Sequence, residues 1–481
     1  MGDTMARRAA RHAWLVALLA VVLAFAAACG DDDEEGGDAT SAAAPATSAA
    51  APESSAAPES SAAESSAAET TEATAESSAE GESSAAASGP ATGDPLVIGG
   101  PFAQTGPAGI ADHKDCWNGV ELAMEEINAA GGANGRPIAL EVTDIDMLTP
   151  EGTQSAFQAL VDKNVDAIVS PFSITWQPGL DVTAAAGIPY LSGGTSSPAI
   201  AYAKSDPEKF WNFVSDPAEL NYGRGFIESL DLLVEAGTWT PKNNKVDIVV
   251  GDSEYNTLIA QGTKEAIEAS GGTWELGEES EVQGGITDWS PILQQLQQSD
   301  AGVIMVDHWI GAELAAFAQQ FTANPVPGSL VYLQYGPSQP EFLDIAGESA
   351  EGFYWGTMIG VPNVGKGAEF RTKYAAKYPD TTFGIVYTGW CYDMVYMLQD
   401  AWSNVDPADK KAVMQWIKDH PYDGTTGHID FSDIETPTYP VNAETPETGV
   451  THLFFQVQGG EHKIVSPEVY KETDYVAPPW G

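Results

Sequence analysis

The sequence predicts an α/β protein of two lobes built on parallel sheets, and three observations predict it. Short runs rich in Val, Ile and Leu alternate with amphipathic stretches along residues 95–481, the pattern of parallel strands covered by helices on both faces. That segment is too long for one ordinary core, which divides it into two lobes. One continuous block, residues 119–146, reads as a helix, a glycine stop and a strand.

The elements follow in order. Leu96, Val97 and Ile98 form a first short strand that runs into a Gly- and Pro-containing loop at 99–109. Val120, Ala123, Met124 and Ile127 recur at helical spacing, with Glu121, Glu125 and Asn128 on the opposite face. Gly131-Gly132 supplies the positive φ that ends such a helix, and Asn134-Gly135 makes a further turn. Ile138, Leu140 and Val142 then alternate as a strand. Further buried strands are expected at 165–169, 188–191, 246–250, 303–306 and 330–333. Amphipathic helices are expected near 155–163, 223–236, 259–270, 291–298 and 312–321. Trp211-Asn-Phe213 and Phe353-Tyr-Trp355 stand where one unit ends and the next begins, and are read as crossings between lobes.

The first 94 residues are of another kind. Arg7, Arg8 and Arg11 precede an apolar run at 14–28 and then Cys29 behind three alanines, an export signal too short for a comfortable span. The run resembles a bacterial lipoprotein signal, which implies diacylation of the Cys29 thiol and a lipid anchor outside the cytoplasm. An uncleaved anchor or an ordinary secretory signal stays open, as does a start at Met1 or Met5. Residues 30–94 are nearly all Ala, Ser, Glu, Thr, Gly and Pro. They bury too little apolar surface to offset ordering entropy, and are read as a disordered tether.

The chain carries a formal charge of −48; setting aside the 15 acids of residues 30–94 and the net +2 of residues 1–29 leaves −35 on residues 95–481. With no basic stripe to displace counterions, nucleic acid is excluded as a partner. Cys116 and Cys391 are an even pair in an exported chain, read as either a disulfide or two buried thiols. No nucleophile elbow, Walker loop, CxxC or HExxH motif is present, and the histidines are scattered. No enzyme activity, metal or cofactor is therefore expected. Asp307 and His308 are adjacent on a strand and point to opposite faces, which argues against a shared catalytic site.

Open parallel sheets take ligands beyond the carboxyl ends of their strands, at helix N-termini. Three loops fit that position: residues 102–109, Ser173-Ile-Thr-Trp176, and Gly193-Gly-Thr-Ser-Ser197. The hydroxyls of Ser173 and Thr175 read either as ligand donors or as ordinary N-caps, and in the third loop the glycines let backbone amides approach a ligand while Thr195 and Ser196 add hydroxyl donors. Tyr255, after the strand at 246–250, and Trp309, after the strand at 303–306, read as ligand contacts or cleft-wall packing. Trp117 reads as a cover on the ligand or as helix packing.

The block at 119–146, the loop at 170–177, Leu191-Ser-Gly-Gly-Thr-Ser-Ser-Pro198, Ala346-Gly-Glu-Ser-Ala-Glu-Gly352 and Tyr422-Asp-Gly-Thr-Thr-Gly427 together resemble the leucine/isoleucine/valine-binding protein family. These are the type I extracytoplasmic solute-binding proteins of ABC transporters, and the resemblance covers nearly all of residues 95–481. It implies two Rossmann-like lobes joined by three crossings that close on a small polar ligand, and a monomer that delivers it to an ABC permease and ATPase. The expected lobes are residues 95–211 plus 357–434 and residues 212–356 plus 435–481. The resemblance implies that Thr175, Gly194 and Ser196 hold a ligand carboxylate and that Tyr255 presents an aromatic ring. Amino-acid binders of the family place an acid in the second lobe where this chain has Tyr335-Gly-Pro, so Asp252, Glu254 or Asp307 stand as substitutes. A branched-chain or other amino acid is the first expectation. An amide, a carboxylic or aromatic acid, or a sensory role for the same fold, is the alternative.

Overall fold

The computed structural model describes residues 91–106, 109–194, 196–379, 381, 386–432 and 449–481. The export signal, Cys29, nearly all of the tether and Thr195 lie outside the described residues. The chain opens with β1 (Leu96–Pro101), α1 (Ile110–Ala129), β2 (Ile138–Thr143), α2 (Pro150–Asp162), β3 (Ala167–Ser170), α3 (Gln177–Ala186), β4 (Tyr190–Ser192), α4 (Ser197–Ser205) and β5 (Phe213–Ser215). It continues through α5 (Leu220–Glu235), β6 (Lys245–Gly251), α6 (Glu254–Ala269), β7 (Glu275–Val282), α7 (Ser290–Ser299), β8 (Val303–Asp307), α8 (Gly311–Ala323), β9 (Leu330–Leu333), α9 (Pro340–Ala346) and β10 (Tyr354–Thr357). Last come α10 (Gly365–Lys377), α11 (Tyr387–Asn404), α12 (Lys410–Asp419), β11 (Tyr422–Asp423), β12 (His428–Ile429), β13 (Leu453–Gln458) and β14 (Glu461–Ser466).

Among the described residues these strands form a five-stranded sheet, order β2-β1-β3-β4-β5, a seven-stranded sheet, order β14-β13-β10-β9-β8-β6-β7, and the pair β11-β12. The first sheet is parallel throughout. The second repeats the same order in its parallel part, β7-β6-β8-β9-β10, so each lobe is one doubly wound unit with a switch point beside its first strand. The second sheet is not purely parallel, because β13 and β14 extend it as an antiparallel hairpin. The two strands are joined by a tight turn at Gly459-Gly460, both at positive φ, and so short a connection allows only antiparallel pairing.

The first crossing falls later than residue 211. Phe213–Ser215 pairs with Tyr190–Ser192 as the edge strand of the first sheet, so the chain leaves that lobe after Ser215. Tyr354 likewise sits within the second sheet, and the chain leaves it only after Thr357. The expected third boundary, at 434/435, lies outside the described residues.

α1 buries Cys116, Gly119, Val120, Leu122, Ala123 and Ile127. Its main partner is α11, whose Trp390, Cys391, Val395 and Leu398 are buried in the same core. The two helices come close because Gly119 has no side chain; a Cβ there would stand 2.1 Å from the Thr388 carbonyl oxygen. Cys116 and Cys391 are joined by a disulfide between these helices. The second lobe repeats the device, since Gly223 and Gly262 would meet backbone oxygens of the facing helix at 2.2 and 2.1 Å. β7, sequence ELGEESEV, was not expected; it is an exposed edge strand in which only Val282 is buried, so it carries no apolar run.

Candidate ligand site

The loops at the carboxyl ends of the parallel strands of both lobes enclose one cavity. From the first lobe come Phe172, Ser173, Ile174 and Trp176 after β3, Gly194 and Ser196 after β4, and Tyr387 at the start of α11. Asp216, Pro217 and Glu219 come from the first crossing, Tyr222 from the first turn of α5, and Glu254, Tyr255, Trp309 and Tyr335 from the ends of β6, β8 and β9. The empty space among these residues, open solvent at the mouth included, is ≈ 710 Å³.

The walls are aromatic. Phe172 meets Trp309 edge-on at 6.0 Å across the lobes and Tyr387 at 5.4 Å. Tyr335 and Tyr387 lie 6.0 Å apart, and Tyr222 and Tyr255 6.2 Å. Burial raises the phenols of Tyr255, Tyr335 and Tyr387 well above their ordinary range, so all three stay neutral donors. Tyr255 is held by Gln334, whose Nε2 donates to its hydroxyl at 3.0 Å while Tyr332 fixes the amide from the other side at 2.7 Å. Tyr335 has φ +59°, a region costly for a residue with a side chain, and such strain is found where surrounding structure over-determines a position.

Two polar contacts tie the lobes beside this cavity. Asp112 on α1 accepts from the Tyr335 hydroxyl and from Gln339 Nε2 at 2.8 Å. Burial pushes the Asp112 carboxyl up to about 7, opposed by the Tyr335 and Gln339 bonds and reinforced by Glu341. At the mouth, Trp176 Nε1 donates to Glu254 Oε2 at 3.1 Å.

Of the residues singled out in the sequence, Ser173, Gly194, Ser196, Tyr255, Trp309 and Tyr335 are brought together on this cavity. Ser196 is also the N-cap of α4, accepting from Ala199 N–H at 3.1 Å. Thr175 lies outside the lining: its hydroxyl is engaged with Thr153 Oγ1 at 2.8 Å and the Met147 carbonyl at 3.2 Å. Trp117 also lies outside, stacked on Phe102 at 5.7 Å with its indole N–H bonded to Glu121 at 2.8 Å, so its place is helix packing. None of the described residues of loop 102–109 lines the cavity; Gln104 and Thr105 instead bond Asp144. Of the substitute acids, only Glu254 reaches the cavity. Asp307 is buried against Asn256 Nδ2 at 2.9 Å, and Asp252 accepts from Gly284 N–H at 3.2 Å.

Sequence reasoning missed Asp216, Glu219, Tyr222 and Tyr387. Ser215-Asp-Pro-Ala-Glu219 directly follows an edge strand, the usual place of site residues, but the strand is three residues long and was read as the crossing itself. Glu219 is buried and accepts from Ser197 N–H at 2.9 Å. Its burial pushes the carboxyl up to about 8, with backbone bonds from its own residue and Ser197 opposing and Glu254 adding to the rise.

Two doubly wound lobes that face each other across a cavity formed by their strand ends define a bilobal solute-binding architecture. The chain belongs to the periplasmic binding protein family, whose model matches residues 95–438. Over 190 residues it is 30% identical to Leu/Ile/Val-binding protein homolog 8 of Brucella abortus (strain 2308), a match covering 39% of this chain and 45% of that protein. The chain spans about half the length of the curated relatives it matches. A putative branched-chain amino acid ABC transporter structure from Silicibacter pomeroyi superposes with TM-score 0.73 at 29% identity, covering 81% of this chain and 100% of that one. A branched-chain amino acid transporter substrate-binding protein from Streptococcus pneumoniae, solved with isoleucine, shares the fold at TM-score 0.62 and 19% identity, covering 78% and 100%. No helix among the described residues is long and apolar enough to cross a membrane.

Proposed function

We propose that this chain is the extracytoplasmic solute-binding component of an ABC importer, holding a small polar ligand, in the first instance an amino acid, between its lobes. The observation that carries the reading is the cavity itself: aromatic walls, a few polar groups, and contributions from both lobes. A ligand that touches both lobes only when they are closed stabilises the closed form, which is the signal a permease can read. The relatives named for leucine, isoleucine and valine binding support the amino-acid class. Lipidation at Cys29 would keep the domain at the membrane, and residues 30–94 would serve as the tether that gives it reach to the permease.

Thermal denaturation of the purified full chain against amino acids, amides, aromatic acids and sugars tests this. A ligand at 100 times its Kd adds about 2.7 kcal/mol, a shift of roughly 3 °C for a folded unit of this size. A panel in which no small molecule moves the melt refutes the reading.

A further inference from the structure

The charge of the cavity is one-sided. Asp216, Glu219 and Glu254 line it, and none of the described residues that line it is lysine, arginine or histidine. Among the described residues, neither Glu219 nor Glu254 forms an ion pair with a protein cation. Glu219 is 3% exposed, and an acid desolvated to that degree without a counter-charge is costly.

Among the described residues, four of the backbone N–H groups that could receive an anion at this end of the cavity are already engaged. At the turn into α4, Gly193 N–H donates to the Ser170 carbonyl at 2.9 Å and Gly194 N–H to Ser192 Oγ at 3.3 Å. Ser197 N–H is taken by Glu219, Pro198 has no N–H, and Ala199 N–H is taken by Ser196. The protein's own Glu219 carboxyl thus occupies the helix end that would otherwise attract a ligand carboxylate.

We propose that the cavity reads a cationic nitrogen rather than a carboxylate, and that Glu219, with Asp216, is the group that receives it. The inference rests on this cavity being the solute site, and narrows the ligand to amines and amino-acid derivatives that carry an ammonium. Tyr222 and Tyr387 line the same cavity near Asp216, and aromatic rings attract an ammonium that lies over them. A cation beside Glu219 restores the ionised carboxylate that burial alone disfavours; Asp216, Glu254 and Tyr222 are the titratable groups that face it.

The test uses the full chain and two matched probe series, each binding measured by calorimetry: leucine, leucinamide, 3-methylbutylamine and 4-methylpentanoate; and phenylalanine, phenylalaninamide, phenethylamine and 3-phenylpropanoate. The expected result in the series that binds is that the amide and amine match or exceed the amino acid and the deaminated acid is at least a hundredfold weaker. Glu219→Gln, which keeps an acceptor for Ser197 N–H, is expected to fold normally and to weaken the amine at least tenfold. Binding of the deaminated acid as tightly as the amine, or amine binding unchanged in Glu219→Gln, overturns the inference while leaving a solute-binding role intact. Silence of every probe in both series, with no ligand found in the wider melting panel, overturns the solute-binding reading and this inference with it.

Discussion

Removing the Tyr335 hydroxyl isolates one of the contacts that join the lobes. In Tyr335→Phe the ring stays in the cavity wall, while buried Asp112 loses one of its two donors from the other lobe and keeps only Gln339 Nε2 at 2.8 Å. Above about pH 7, where Asp112 is ionised, a hydrogen bond to it contributes about 1.5–3 kcal/mol. If ligand binds the closed lobes, that loss weakens Kd by roughly 10- to 150-fold. Calorimetry with the best ligand measures it, and small-angle scattering reports whether the ligand-bound variant remains as compact as the parent. A second arm is pH. Asp112 is raised from 3.8 to about 7 in this arrangement, whereas a solvated Asp112 in parted lobes would return towards 3.8. Closing therefore takes up a proton between pH 4 and 7: the advantage of the closed form is full at the acid end and is lost as pH rises to 7, then constant. Asp115, Glu341, Tyr335 and Tyr387 are the titratable groups around Asp112, so Asp112→Asn is the control in which this component of the pH profile flattens. A Tyr335→Phe affinity within twofold of the parent, with an unaltered pH profile in Asp112→Asn, refutes the latch.

Three further outcomes are expected. Replacing Cys116 and Cys391 by alanine opens a cross-link spanning 275 residues; the chain-entropy ceiling is about 5–6 kcal/mol, and losses of about 2–4 kcal/mol are typical, seen in scanning calorimetry as a fall of roughly 3–5 °C. Gly119→Ala forces a methyl onto the Thr388 carbonyl oxygen, a backbone atom that cannot swing aside, and should lower stability by about 1–3 kcal/mol in denaturant titration; an unchanged midpoint would show that α1 and α11 can part freely. Ser196→Ala removes the cap of α4 and should cost about 1 kcal/mol of stability, whereas Thr175→Ala, whose hydroxyl faces Thr153 and Met147, should leave ligand affinity within twofold by calorimetry.

Much of the scaffold was legible from local pattern alone. The helix of residues 110–129 stops at Gly131-Gly132 and Asn134-Gly135 because all four adopt positive φ, and the strand after it begins at Ile138 as the alternation requires. The buried runs at β3, β6, β8 and β9 were equally plain, since a strand covered on both faces must be continuously apolar. β7 was not, because an edge strand facing solvent is written in acids.

What the sequence by itself determined is the order of strands and helices, hence a doubly wound fold, and the end of its sheets at which a cavity forms. These follow from periodicity and glycine positions, which are local properties. Only the tertiary structure decided which residues share the site. Ser196 and Tyr335 meet at one cavity although they are far apart in the chain, while Thr175 and Trp117 turn away to neighbours that no spacing rule reveals. The same holds for Asp112 with Tyr335, for Cys116 with Cys391, and for Glu219, whose carboxyl lies across the end of α4. Such pairings depend on how two sheets and their helices pack in three dimensions, and a short edge strand such as β5 leaves too few residues to announce them.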